Sequence, residues 1–145
     1  MQPSPGPDHE SLRATVTADR SAVAGLVSRI MDIVERFNYP KTSRFAIHLA
    51  LEEAVSNAFR HGHKLLPPDA AVTVEAHVDA RRVRIAVEDQ GPGFTPDTIP
   101  DPTLDENLAK PDGRGLMLIR AYMTRVDFNP RGNRLEMTYE RPPSP

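Results

Sequence analysis

Two short alternating runs constrain this chain most. Val72, Val74, Ala76 and Val78 are apolar at every second position, and so are Val83, Ile85 and Val87. A period of two puts those side chains on one face of a strand. Only Asp79 to Arg82 lies between the runs. A parallel crossover needs about a dozen residues or more, so the two strands must pair as an antiparallel hairpin. The alternating strand–helix–strand pattern of a dinucleotide-binding domain is therefore excluded.

The other periods fit round this hairpin. Leu12, Ala14 and Val16 alternate and predict a strand. Asp19 is placed to cap a helix from Arg20 to Phe37, whose Val23, Leu26, Val27, Ile30, Val34 and Phe37 form one apolar face. Pro40 stands near the start of a second helix running to about His61, with Gly62 as its C-cap. Leu116 to Val126 predicts a third helix. Val126 and Phe128, then Leu135, Met137 and Tyr139, predict a closing hairpin turned at Pro130 to Asn133. The predicted fold is an α+β two-layer sandwich: a mostly antiparallel sheet with three helices on one face.

At 145 residues and 16.1 kDa the chain is the size of one domain. Eighteen Lys and Arg against 20 Asp and Glu give a net charge of -2, so bulk charge points neither to nucleic acid nor to an acidic membrane. The lack of cysteine removes disulfides, thiol nucleophiles and thiolate metal sites. No apolar run is long enough for a bilayer. Met1 to Pro7 lacks the basic and apolar regions of a signal peptide, so the expected location is the cytoplasm. Prolines crowd both ends, predicting open tails at 1–8 and 142–145 round a single domain at 9–141. Between Pro92 and Asp112, five prolines join Asp97, Asp101, Asp105, Glu106 and Asp112 in what reads as a long acidic loop, the kind that is usually functional or disordered.

Three groups of residues carry chemistry. On the second helix Glu53 and Asn57 are four apart and share a face, with His61 one turn on. Asn costs roughly 0.5 kcal/mol in a helix interior relative to Ala. Its oxygen is a hard neutral ligand suited to Mg²⁺ that already carries phosphate, and a carboxylate one turn away can orient a hydroxyl for attack on phosphorus. Taken alone, such a pair is more often a solvated polar stripe with an i,i+4 contact. After the strand Val83–Val87 comes Asp89-Gln90-Gly91-Pro92-Gly93. Asp89 keeps the buried parity, and a buried carboxylate needs a donor such as the amino group of adenine. Alone, this is also an ordinary Asp-Gly turn. Gly113-Arg114-Gly115 then leads into Leu116, a glycine turn opening an apolar helix whose free amides suit phosphate. Alone, it is also a plain loop-to-helix junction.

In this order the three motifs resemble the GHKL (Bergerat-fold) ATPases, and within them the bacterial anti-sigma-factor serine kinases of partner-switching pathways. The resemblance covers about Leu12 to Glu140. It implies Glu53 as catalytic base, Asn57 as Mg²⁺ ligand, and Asp89 as the adenine-binding residue with Gly91 and Gly93 shaping the pocket. It also implies a lid over 95–112 and a phosphate-binding turn at Gly113, Arg114, Gly115 and Leu116. His61 lines the nucleotide pocket on this reading. Asn133 stands where many relatives carry a threonine near the adenine. The implied cofactors are ATP and Mg²⁺.

The expected function is a protein serine/threonine kinase. It transfers the γ-phosphoryl of Mg-ATP to a serine on a STAS-type antagonist, and it binds a sigma factor. No direct contact with nucleic acid or membrane is expected. The resemblance further implies a homodimer, with partner contacts near the first helix, where Arg20 and Arg29 are candidates. Two readings compete. One is a non-catalytic nucleotide-binding or partner-docking module. The other is the catalytic domain of a sensor histidine kinase, which needs a phosphoacceptor His on a separate helix pair. Here His48 lies inside the helix that carries Glu53. His9 is expected in the open N-terminal tail and His77 on the solvent parity of its strand. His61 and His63 lack a third ligand at zinc spacing.

Overall fold

The computed structural model describes residues 8–62, 70–91 and 111–143, with 61–62 and 111–115 described by their backbone alone. The chain runs β1 (His9–Val16), α1 (Arg20–Arg36), α2 (Lys41–Asn57), one π-helical turn (Ala58–Gly62), β2 (Val72–Asp79), β3 (Arg82–Glu88), α3 (Pro111–Tyr122), β4 (Arg125–Phe128) and β5 (Arg134–Glu140). The five strands form one sheet in the order β1-β2-β3-β5-β4, with every neighbouring pair antiparallel. The predicted hairpin is there, as β2 and β3. Its turn closes on Asp79 Oδ1, which accepts the amides of Arg81 at 2.7 Å and Arg82 at 2.8 Å.

Register makes the core. Leu12, Ala76, Ile85, Met137 and Val126 stand opposite one another in a single row across the sheet. The three central members are at most 1% exposed. Onto this face pack the three helices: α1 over β1 and β2, α2 over β3, and α3 beside α2 and over β4. Ile30, Val34, Ile47, Leu51 and Ile119 are fully buried between the layers. Each such burial stabilises the fold by about 1.5–3 kcal/mol. The opposite face is polar, with Arg134 paired to Glu75 at 3.1 Å and to Glu136 at 3.2 Å, and Arg13 to Glu75 at 3.5 Å.

Local chemistry sets the ends of the first helix. Asp19 Oδ1 accepts the Ser21 amide at 3.1 Å, the expected N-cap. The helix stops before Asn38, which adopts φ 60°, a left-handed conformation that Asn tolerates. Arg141, just past β5, donates to the Phe37 and Asn38 carbonyls and stacks 4.1 Å over the Tyr39 ring.

Three expectations change. His9 is not in a tail: it is the first residue of β1 and pairs with Asp79. The third helix starts at Pro111 rather than Leu116 and ends at Tyr122, because Pro is preorganised for a first turn and β4 claims Val126. The second helix does not run regularly to a cap at Gly62; it leaves α geometry after Asn57. Gly93, His63 and 95–110 of the expected lid lie outside the described residues. Pro111 and Asp112, its last two residues, belong to α3. Among the described residues no helix is long and apolar enough to cross a membrane.

Candidate nucleotide site

Two side-chain contacts orient the helices over the sheet. Ser43, at the start of α2, is buried and its Oγ lies 2.6 Å from the Tyr139 hydroxyl near the end of β5. Tyr139 pairs with Val83 at the entry to β3. So α2 runs in the sense of β3, and its C-terminal turns reach the end where β3 exits at Glu88. Phe45 on α2 then meets Tyr122 edge to face, centroids 6.0 Å apart. The last residue of α3 thus stands beside the first turn of α2, and the two helices are antiparallel. Eight residues from that pair, about 12 Å along both axes, Glu53 on α2 comes about level with Arg114 on α3. One end of the molecule therefore gathers the C-terminus of α2, the N-terminus of α3 and the exit of β3.

At the exit of β3, Asp89 is half-buried. Its Oδ1 accepts the amide of Gly91 at 2.8 Å, so carboxylate and glycine form one closed turn. Gly91 is buried, and its carbonyl accepts Arg131 Nη2 at 3.4 Å. The Asp89 backbone is tied to Asn133 from both sides. Its amide donates to the Asn133 carbonyl at 2.9 Å, and its carbonyl accepts Asn133 Nδ2 at 3.1 Å. Asn133, expected near the adenine, thus holds the peptide of the residue expected to bind it.

On α2, Glu53 and Asn57 are both half-buried on one face. Arg60 Nη2 donates to Asn57 Oδ1 at 3.0 Å and lies 3.9 Å from Glu53 Oε2. The π turn that begins at Ala58 carries Arg60; such turns often occur at functional sites. The two side chains expected to serve Mg²⁺ and catalysis already share a cation, so their oxygens suit one. Sequence reasoning passed over Arg60, although its spacing of three from Asn57 and seven from Glu53 puts all three on one face.

Gly113, Arg114 and Gly115 lie in the first turns of α3, not in a turn before it. The first amides of a helix lack intrahelical partners, the general property on which the expected phosphate role of these residues depends. Leu116 is buried and anchors this turn to the core. The backbone of His61 lies in the π turn one turn beyond Asn57.

Residues 16–139 match the histidine kinase-like ATPase domain family. The chain belongs to that family. The matched span takes in all three motifs and the whole helical layer of this ATPase-type domain. Its fold also resembles a solved structure of the RsbU and RsbW domains of Rv1364c from Mycobacterium tuberculosis, with a TM-score of 0.60 and 18% sequence identity. That likeness covers 90% of this chain and 31% of the other, so this chain spans under a third of the length of the chain it resembles. No curated protein matches the chain in sequence. The α+β sandwich with an open antiparallel sheet and three helices is the fold expected of a GHKL-type ATPase.

Of the other histidines, His48 is exposed and pairs with Glu52 at 2.7 Å, one turn along the outer face of α2. His77 is exposed, and its Nδ1 lies 2.8 Å from Ser11 Oγ on the outer face of the sheet. Arg20 and Arg29, the expected partner contacts on α1, are both exposed.

Proposed function

We propose that this domain is an ATP-dependent protein serine/threonine kinase of a partner-switching pathway, phosphorylating a serine of a STAS-type antagonist and binding a sigma factor through a surface near α1. One observation carries the reading. The antiparallel run of α2 and α3, fixed by Phe45 and Tyr122, brings Glu53, Asn57 and the N-terminus of α3 to the same end of the sheet as Asp89. Base recognition, metal binding, phosphate binding and acceptor orientation then have one residue group each.

In this reading Asp89 accepts the adenine amino group and Gly91, with Gly93, lets the base approach the backbone. Asn57 Oδ1, which now accepts from Arg60, would hold Mg²⁺, and His61 is assigned to the lining of the nucleotide pocket. Gly113, Arg114, Gly115 and Leu116 receive the phosphate tail at the α3 N-terminus. Glu53 orients the serine hydroxyl and accepts its proton as the serine Oγ–phosphorus bond forms and the bond from the γ-phosphorus to the bridging oxygen of ADP breaks, with ADP as the leaving group. Mg²⁺ supplies charge neutralisation of the polyphosphate. Because phosphoryl transfer is loose, a carboxylate of ordinary basicity is sufficient.

Calorimetric titration of the wild type and Asp89→Asn with ADP and ATP, with and without Mg²⁺, tests this. Micromolar, Mg²⁺-dependent binding that the variant loses supports the kinase reading and makes phosphate transfer to a STAS-domain serine the next assay. No binding by the wild type overturns it and leaves a partner-docking module.

A further inference from the structure

One side chain organises the turn between β4 and β5. Asn129 Oδ1 accepts three backbone amides: Gly132 at 2.7 Å, and Asn133 and Arg134 at 3.1 Å each. Gly132 makes this closure at φ 81°, where glycine carries no Cβ penalty. The other half of the Asn129 amide points away from the turn: Nδ2 donates to Asn133 Oδ1 at 2.9 Å. Asn133 Nδ2 then donates to the Asp89 carbonyl, and the Asn133 carbonyl accepts the Asp89 amide. Asp89 lies one residue beyond the end of β3, where its backbone bond to Asn133 continues the pairing of β3 with β5. Its peptide is fixed by Asn133, and the Asn133 side chain is oriented by Asn129.

We infer that Asn129 is a positioning residue for purine recognition: acting through Asn133, it fixes the backbone from which the Asp89 carboxylate reads the base. The inference rests on the reading of Asp89 as the adenine-binding group. A carboxylate favours a 6-amino purine over a 6-oxo purine only while its oxygen is held against that position. The amino group donates to it, whereas the oxo group opposes acceptor to acceptor. Loosening the Asp89 peptide therefore weakens the amino purine selectively, and the contributions of sugar and phosphates are unchanged.

Asn129→Asp separates positioning from folding. The new carboxylate keeps an oxygen for the three amides, so the turn retains its closure. It has no donor for Asn133 Oδ1 and repels it. The Asn133 amide must then rotate to offer its nitrogen to the carboxylate, and the bond from Asn133 Nδ2 to the Asp89 carbonyl is lost. Asn133→Ala cuts the same link from the other side.

The experiment measures ADP and IDP binding by calorimetry, with Mg²⁺, for the whole chain as wild type, Asn129→Asp, Asn133→Ala and Asp89→Asn, together with each thermal midpoint. The expected result is a wild-type preference for ADP that Asp89→Asn abolishes. Asn129→Asp then melts within a few degrees of wild type, loses about five- to tenfold in ADP affinity, the size of one hydrogen bond, and binds IDP as before. Asn133→Ala shows the same selective loss. An unchanged ADP-to-IDP ratio in Asn129→Asp, or an equal fall for both nucleotides, overturns the inference. So does a selective loss in Asn129→Asp that Asn133→Ala lacks. If the wild type has no ADP preference, or Asp89→Asn keeps it, the adenine reading of Asp89 itself has failed and the role of Asn129 fails with it.

Discussion

Arg60 donates from Nη2 to Asn57 Oδ1 at 3.0 Å, and the same nitrogen stands 3.9 Å from Glu53 Oε2. A guanidinium therefore sits where a divalent cation is expected, and the two compete for one amide oxygen. Arg60→Ala is expected to lower the Mg²⁺ concentration that half-saturates ADP binding, measured by titrating Mg²⁺ at fixed ADP. Arg60 is exposed, so its loss changes the nucleotide-free thermal midpoint little; such pairs contribute less than about 1 kcal/mol. A raised Mg²⁺ midpoint means that the guanidinium assists nucleotide binding rather than competing with the metal.

Glu53 tests the chemistry apart from binding. Glu53→Ala is expected to abolish phosphate transfer to a serine acceptor, a loss of at least about a hundredfold for a group acting on the proton, while ADP affinity stays within about threefold. Turnover at the wild-type rate would remove Glu53 from the reaction.

Glu75 predicts the acid limb of the stability curve. The hydrogen bond from Arg134 outweighs burial and, with the charges of Arg134 and Arg13, holds its carboxyl below the ordinary value of 4.5. A carboxyl depressed in the folded state binds its proton more readily when unfolded. Its contribution is thus fully present above pH 4.5 and is lost as pH falls through the folded-state value. Glu75→Gln is expected to melt slightly lower at pH 7, by less than about 1 kcal/mol, and to decline less steeply below pH 4.5. Denaturant midpoints measured from pH 7 to pH 3 check both.

Tyr39 predicts the alkaline limb. Burial pushes its phenol up to about 12, against the pull of the Arg141 guanidinium. The neutral hydroxyl donates to the Asp79 carbonyl at 2.6 Å. Its stabilisation is complete below pH 10 and disappears as pH climbs from 10 towards 12, because the unfolded chain ionises first. Tyr39→Phe keeps the ring under Arg141 and loses the hydroxyl. It is expected to cost about 1 kcal/mol at neutral pH and to flatten the stability curve between pH 10 and 12, as urea melts at each pH would show.

What the sequence made legible was whatever depends on neighbours a few residues apart. The β2–β3 hairpin followed from its period of two, and the Asp19 cap from one polar residue before an apolar face. The two glycines of Gly113 to Gly115 misled, because glycine disfavours a helix interior by about 1 kcal/mol; in a first turn, led by Pro111, they are accommodated. Val126 fitted both a helical and an alternating period, and only pairing with Met137 decides for the strand. The π turn after Asn57 left no periodic trace within five residues. Asn129 stands just before the predicted turn at Pro130 to Asn133 and drew no reading of its own. Its reach to Asp89 depends on β5 pairing with β3 across some forty residues of chain, which no local pattern encodes.

The Ser43–Tyr139 contact lies at the pole of the domain opposite Asp89 and Asn57, with Tyr39 and Arg141 beside it. The 17 residues of α2 separate the two poles, about 25 Å of helix. Residues that far apart with no shared partner respond independently, so free-energy changes at the two ends should sum. The polar buttress can be strengthened or weakened without retuning the end that holds Asp89 and Asn57, and evolution can alter thermal tolerance and the chemistry of that end along separate axes.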